Sequence, residues 1–85
     1  MKEFSYVITD EVGIHARPAG LFVKQAAAFE CDITISKQEK SVDAKRLIGV
    51  MGLGAKQGDE IIVKCDGPDE DAAASSLSKF LEENL

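Results

Sequence analysis

The chain has 85 residues but no tryptophan, one histidine, two cysteines and two prolines, and these shortages exclude several classes of site. Cys31 and Cys65 lie far apart without the CxxC spacing of metal or redox motifs, so we interpret them as two small apolar thiols in a reducing compartment. A catalytic metal site normally needs more than one imidazole. We therefore expect no metal and no cofactor.

The sequence also lacks long apolar runs and a positive charge balance. No stretch approaches the roughly 20 apolar residues that cross a bilayer, and the opening MKEFSYVITDEVG contains no apolar signal segment. We therefore predict a cytoplasmic protein without membrane insertion. The formal net charge of -5 and the lack of a basic stripe with interleaved aromatics argue against nucleic-acid binding.

Hydrophobic periodicity predicts seven elements in the order β-α-β-β-α-β-α. They are a strand at 4–8, a helix at 16–29, a hairpin of strands at 31–36 and 41–44, a short helix within 45–53, a strand at 60–65 and a closing helix that starts with Pro68 and three acids. The first helix is predicted to bury a small-residue face of Ala16, Ala19, Gly20, Val23, Ala26 and Ala27, and the last one a stripe of Ala73, Leu77, Phe80 and Leu81. This pattern predicts one α+β domain over residues 1–85, a mostly antiparallel sheet covered by helices on one side.

Familiar catalytic and nucleotide-binding motifs are incomplete here. The segment GVMGLGAK has Ala55 where the P-loop requires lysine, and GLGAKQ has Gln57 in place of the last glycine of a dinucleotide fingerprint. No serine lies in a GxSxG nucleophile elbow. The glycines are better explained as turn formers.

The only histidine, His15, stands at the predicted start of a helix, two residues before Arg17. The simplest alternative is that it only packs there, but histidine is not a favoured N-cap residue. A helix start gathers free N–H groups and the positive end of the macrodipole, which together bind anions. Arg17 adds a guanidinium whose geometry suits phosphate oxygens. A nucleophilic imidazole beside such a site indicates phosphoryl transfer.

Two segments carry a family resemblance: GIHARPAGLFVKQAAAF at 13–29 and KSVDAKRLIGVMGLG at 40–54. They resemble the active-site signature and the second characteristic segment of the HPr family, the histidine-containing phosphocarriers of the bacterial phosphoenolpyruvate-dependent sugar phosphotransferase system. The resemblance covers essentially the whole chain. It implies an HPr-like open-faced β-sandwich, with a four-stranded antiparallel sheet and three helices on one face.

The resemblance also implies a mechanism and its partners. His15 accepts a phosphoryl group on Nδ1 from phospho-enzyme I and passes it to a histidine on sugar-specific IIA domains. Arg17 and the backbone N–H groups of Ala16 and Arg17 hold the phosphate. Such a chain is a carrier with a transient phosphohistidine and not an enzyme, and we expect a monomer.

Partner docking is predicted at the short helix, where Leu47, Ile48 and Met51 form an apolar patch and Val50 faces the core. The predicted docking set is completed by Gly20, Lys24, Lys45 and Arg46.

Two positions depart from the family pattern. Arg46 stands where many members carry a serine that an ATP-dependent kinase phosphorylates, so that switch is expected to be absent. Val12 stands where the family often has a small polar residue, and the lost contact to the phosphate or ring is worth about 1 kcal/mol. Three other functions stay open: an HPr-like regulatory binding module, a nitrogen-branch phosphocarrier, and an independent small enzyme, which has no second catalytic residue to support it.

Overall fold

The computed structural model describes residues 1–85 and contains four strands and three helices. The elements are β1 (Lys2–Val7), α1 (Ala16–Ala27), β2 (Asp32–Lys37), β3 (Lys40–Asp43), α2 (Leu47–Gly52), β4 (Glu60–Asp66) and α3 (Glu70–Asn84). All strand pairs are antiparallel, in the order β1-β4-β2-β3. The predicted α+β architecture and element order are confirmed. None of the three helices combines the length and apolar character that crossing a membrane requires.

The strand register places most of the apolar strand side chains on one face of the sheet, while Val7 and Ile62 lie on the other. Tyr6 of β1 lies opposite Ile61 of β4, and Val63 lies between Phe4 of β1 and Ile35 of β2. Because directly paired residues share a face, these side chains form one surface, and the helices cover it. The resulting core is a single cluster of 19 buried residues. The other face carries Glu3, Ser5, Thr34, Ser36 and Lys64.

The first helix ends earlier than predicted, and the face that it buries shares Ala19 and Ala26 with the predicted one but is rotated toward Pro18 and Phe22. It ends at Ala27 and not at Phe29, because the N–H of Phe29 donates to the Ala26 carbonyl, only three residues back. The predicted small-residue face is wrong for Ala16 and Ala27, which are exposed. The buried residues of α1 are Pro18, Ala19, Phe22 and Ala26.

Phe22 is the core residue that determines this rotation of α1. Its ring packs against that of Phe80 in α3, with centroids 5.8 Å apart and planes tilted by 53°. Burial of a phenyl ring outweighs contact of alanine methyl groups, because it removes far more apolar surface from water. The predicted stripe of α3, which includes Phe80, is confirmed.

The start of α3 is tied to the start of β2 by Asp69. Its carboxylate accepts the N–H groups of Glu30 at 2.8 Å and of Cys31 at 2.9 Å, although as the N-cap residue it makes no side-chain capping bond. These hydrogen bonds hold the pKa of Asp69 below its ordinary value of 3.8, and the one from Glu30 has the largest effect. The helix begins at Glu70, two residues after the predicted Pro68.

The turn before α1 leaves no room for a side chain at Gly13. This residue has φ +79°, and a Cβ built on it would lie 2.5 Å from the Ala55 carbonyl oxygen. Gly20, inside α1, contrasts with it, since a Cβ there would meet nothing within 4 Å.

We predict that Asp69→Asn lowers the stability of the protein in a pH-dependent manner. A depressed folded-state pKa contributes stability above the unfolded pKa and loses it as pH falls through the folded value. The stability deficit of Asp69→Asn is therefore largest near neutral pH and shrinks at pH values below about 4. Urea unfolding at several pH values measures it, with Glu82→Gln as an exposed acid control on the same helix. A deficit that is constant from pH 7 to pH 3 would contradict this prediction.

We predict opposite effects of alanine at the two glycines. Gly20→Ala raises the free energy of unfolding by about 0.5–1 kcal/mol, because glycine in a helix interior costs about that much relative to alanine. Gly13→Ala lowers it, because the substitution combines a left-handed backbone with a backbone clash. Chemical denaturation of both variants tests the pair, and equal effects of the two substitutions would refute the explanation.

Candidate functional site

The loop that carries His15 is held by backbone hydrogen bonds at both ends. The N–H of Ile14 donates to the carbonyl of Ala55 at 3.0 Å. The N–H groups of Thr9 and Asp10 donate to the main-chain oxygen of Leu85 at 2.6 and 2.8 Å. The loop is thereby joined to the segment after α2 and to the last residue of the chain.

His15 is the N-cap residue of α1, with an extended backbone at φ -125° and ψ -178°. Its carbonyl accepts the N–H of Ala19 at 2.9 Å, so the main chain enters the helix at this residue. Its imidazole makes no capping hydrogen bond, as the sequence indicates, and is half-buried. The ring nitrogens are therefore available for chemistry.

The first turn of α1 offers unused donors beside this imidazole. The N–H groups of Ala16 and Arg17 make no hydrogen bond within the chain, and Pro18 has no N–H. No acidic residue lies in this turn, so no side chain on the helix neutralises the positive end of the macrodipole. The exposed guanidinium of Arg17 forms no hydrogen bond or ion pair within the chain. The predicted site residues His15, Ala16 and Arg17 thus lie together at the start of α1.

His15 and Arg17 line an open depression of about 260 Å³. The depression is also lined by Asp10, Pro18, Leu21 and Asn84. Sequence reasoning missed Asp10 and Asn84. The Asp10 Oδ1 atom accepts the N–H of Val12 at 2.8 Å. This hydrogen bond closes a turn, which the segment TDEVG indicates in the sequence. Asn84 comes from the far end of the chain, and no local sequence pattern indicates its place in the depression.

The predicted apolar patch lies on α2, which packs against α1. Leu47, Ile48 and Met51 are 41%, 88% and 41% exposed, while Val50 is fully buried. This division agrees with the predicted split between outward and inward residues. Gly49 allows α2 to approach β3, because a Cβ there would lie 3.3 Å from Cβ of Val42.

The basic residues of the predicted docking set differ in how free they are. Lys24 is exposed in the last turn of α1 and makes no ion pair. Arg46 is the N-cap residue of α2, with an 81% exposed side chain whose Nε lies 3.9 Å from Asp43. The ammonium of Lys45 instead donates a hydrogen bond to the Phe29 carbonyl at 2.7 Å. This positive charge is therefore held near the end of α1.

Burial keeps both cysteine thiols in their neutral form. The pKa of the Cys31 thiol is raised to about 11, mainly by burial, and burial also raises the pKa of the Cys65 thiol. Both cysteines are free and buried. No group of three or more His, Cys, Asp or Glu side chains is placed to hold a metal ion.

Comparisons with known proteins bear on this site. Residues 2–83 match the family model described as the PTS HPr component phosphorylation site. The phosphocarrier protein HPr of Mycoplasma capricolum is 42% identical over 95% of this chain and 91% of its own length.

Solved structures give the same result. HPr-C-His from Thermoanaerobacter tengcongensis has a TM-score of 0.93 and 40% identity, covering 98% of this chain and 93% of that one. Crh, the catabolite repression containing protein of Bacillus subtilis, described as a dimer with a swapped domain, has a TM-score of 0.79 and 34% identity, covering 94% and 92%. The family model and the curated relative both span nearly the whole chain, and the chain belongs to the HPr family of phosphocarrier proteins of the phosphotransferase system.

Proposed function

We propose that the chain carries a phosphoryl group on Nδ1 of His15 between phospho-enzyme I and the IIA domains of the sugar phosphotransferase system. One observation carries the proposal. The unbonded imidazole of His15 stands next to two free backbone N–H groups and the free Arg17 guanidinium, at the start of α1. These groups are hydrogen-bond donors and a cation, which complement the anionic oxygens of a phosphoryl group.

The chemistry of the transfer follows from these groups. A lone pair on Nδ1 attacks the phosphorus of the donor, the bond from phosphorus to the donor breaks, and the donor leaves with that electron pair. The equatorial oxygens carry the charge of the transition state, and positioning and electrostatic stabilisation are what the protein can supply. The N–H groups of Ala16 and Arg17 and the guanidinium of Arg17 donate to those oxygens.

Transfer onward uses the same groups in reverse, with the acceptor imidazole attacking in line. Neither of the two transfer steps requires the chain to bind a free small molecule. The class that fits is a carrier with a transient phosphohistidine, which completes its reaction only in complex with a partner.

Docking of both partners is proposed at α2 and the neighbouring face of α1. The outward side chains of Leu47, Ile48 and Met51 provide apolar area, and the thioether of Met51 adapts to partners of different shape. Gly20 allows close approach of a partner to α1. Lys24 supplies an unpaired positive charge toward acidic partners, and Arg46 supplies a largely exposed one whose Nε lies 3.9 Å from Asp43. Lys45 contributes less because the Phe29 carbonyl holds its ammonium.

The setting of this activity is proposed to be a monomer in the cytoplasm. Two free, buried thiols suit a reducing compartment. Size-exclusion chromatography with light scattering tests the monomer against a dimer of the kind described for Crh.

A second candidate function is a regulatory binding module, and the similarity to Crh favours considering it. The presence of His15 and the arginine at position 46 support the carrier instead. A nitrogen-branch carrier is separated from a sugar-branch carrier by offering the phosphorylated chain to IIA domains of each branch. Preferential transfer to the nitrogen-type domain would assign the chain to that branch.

We predict that phosphoenolpyruvate and enzyme I add one phosphoryl group to the chain, and that the label is labile in acid and stable in base. His15→Ala abolishes labelling, because no other side chain in the depression is an imidazole. Arg17→Ala slows it about a hundredfold, since one lost donor to a developing oxyanion has that order of effect. Intact mass and rapid-quench kinetics measure both. Label retained by folded His15→Ala would refute the assignment, and a standard carrier labelled in parallel validates the assay.

We predict that Ile48→Thr slows transfer from enzyme I several-fold without lowering stability, because the 88% exposed side chain contributes nothing to the core. The matched control is Val7→Thr, which changes a 51% exposed β-branched residue at the end of β1, outside the proposed docking face. Steady-state transfer with enzyme I as the varied partner measures the effect as a raised KM. Equal rates for the two variants would remove Ile48 from the docking surface.

A further inference from the structure

Among the side chains that line the depression with His15 and Arg17, that of Asp10 is the only carboxylate. Its Oδ1 accepts the N–H of Val12 at 2.8 Å, which anchors the carboxylate to the loop. Its other oxygen makes no hydrogen bond or ion pair within the chain. A fixed negative charge therefore borders the space into which a phosphoryl group on His15 must project.

This charge opposes the rest of the site. Arg17, the free N–H groups and the helix dipole attract an anion, whereas Asp10 repels it. Arg17 and Asp10 line the same depression without forming an ion pair, so neither charge cancels the other by direct contact. Loop formation alone does not require the charge, because an asparagine oxygen would accept the Val12 N–H equally well.

We propose that the Asp10 carboxylate weakens the hold of the site on the phosphoryl group and thereby raises the tendency of phosphorylated His15 to give it up. The inference rests on the proposed function, in which His15 is the acceptor. A carrier that bound its phosphoryl group too tightly would receive it readily but pass it on poorly. A repulsive charge at the edge of the depression shifts that balance toward release.

Two substitutions separate the charge of Asp10 from its hydrogen bond. Asp10→Asn keeps an acceptor for Val12 and removes the charge, whereas Asp10→Ala removes both. Glu11→Gln is the matched control, because it removes an equal charge from the next residue, which is exposed and does not line the depression.

The first measurement needs no partner protein. Inorganic phosphate is titrated into each variant, and the backbone amide resonances of Ala16 and Arg17 are followed by NMR. We expect Asp10→Asn to bind phosphate about three- to fivefold more tightly than the wild type, as expected for one partly screened charge close to an anion. We expect Glu11→Gln to change the affinity for phosphate by less than half of this three- to fivefold factor.

The second measurement follows phosphorylation itself. With phosphoramidate as the small-molecule donor, Nδ1 bonds to phosphorus, the phosphorus–nitrogen bond breaks and ammonia leaves with the electron pair. With enzyme I and a fixed ratio of phosphoenolpyruvate to pyruvate, the phosphorylated and free forms reach equilibrium. We expect Asp10→Asn to react faster with phosphoramidate and to shift that equilibrium about three- to fivefold toward the phosphorylated form.

Several outcomes would overturn the inference. If Asp10→Asn behaves like the wild type while Asp10→Ala does not, Asp10 serves only the turn. If Glu11→Gln matches Asp10→Asn, net charge alone is responsible. If the wild type accepts a phosphoryl group from neither donor, the proposed function fails, and the phosphate affinities still decide whether Asp10 repels an anion at this site.

Discussion

The hydrogen bond between the N–H of Ile14 and the carbonyl of Ala55 holds the loop from which α1 and the candidate site begin. It joins the loop before α1 to the connection between α2 and β4 at a point where Gly13 leaves no space for a side chain. The loop held there leads directly into α1, which the main chain enters at His15. The same contact brings the start of α1 close to the segment that follows α2. The imidazole of His15 and the free amides of Ala16 and Arg17 thus lie within three residues of this close backbone approach.

The site is built from groups that the rest of the protein does not use. No buried side-chain nitrogen or oxygen of the protein lacks a hydrogen-bond partner. At the start of α1 the imidazole, two backbone N–H groups and a guanidinium are all unpaired, and water can reach them there. Stability gains nothing from this arrangement. The proposed group transfer uses these unpaired donors together with the nucleophilic imidazole beside them.

Local pattern in the sequence predicts the elements well, because each strand and helix carries its own periodicity. It also places His15 and Arg17 at the start of α1, because a helix start is a local feature of the sequence. It fails where the outcome depends on contacts between distant residues. The rotation of α1 follows from Phe22 meeting Phe80, 58 positions later in the numbering. Asn84 reaches the depression from the other end of the chain, and the ammonium of Lys45 goes to Phe29. No local signal encodes those choices.

Arg46 shows how a structural cost can indicate a function. Arginine is not a favoured N-cap residue, and a positive charge at the N-terminus of a helix opposes the macrodipole. The distance of 3.9 Å to Asp43 and the 81% exposure of the arginine side chain make that ion pair worth little. The stability of α2 therefore does not explain an arginine at this position. The largely exposed guanidinium of Arg46, next to the exposed side chains of Leu47 and Ile48, fits the acidic partner proposed for this face.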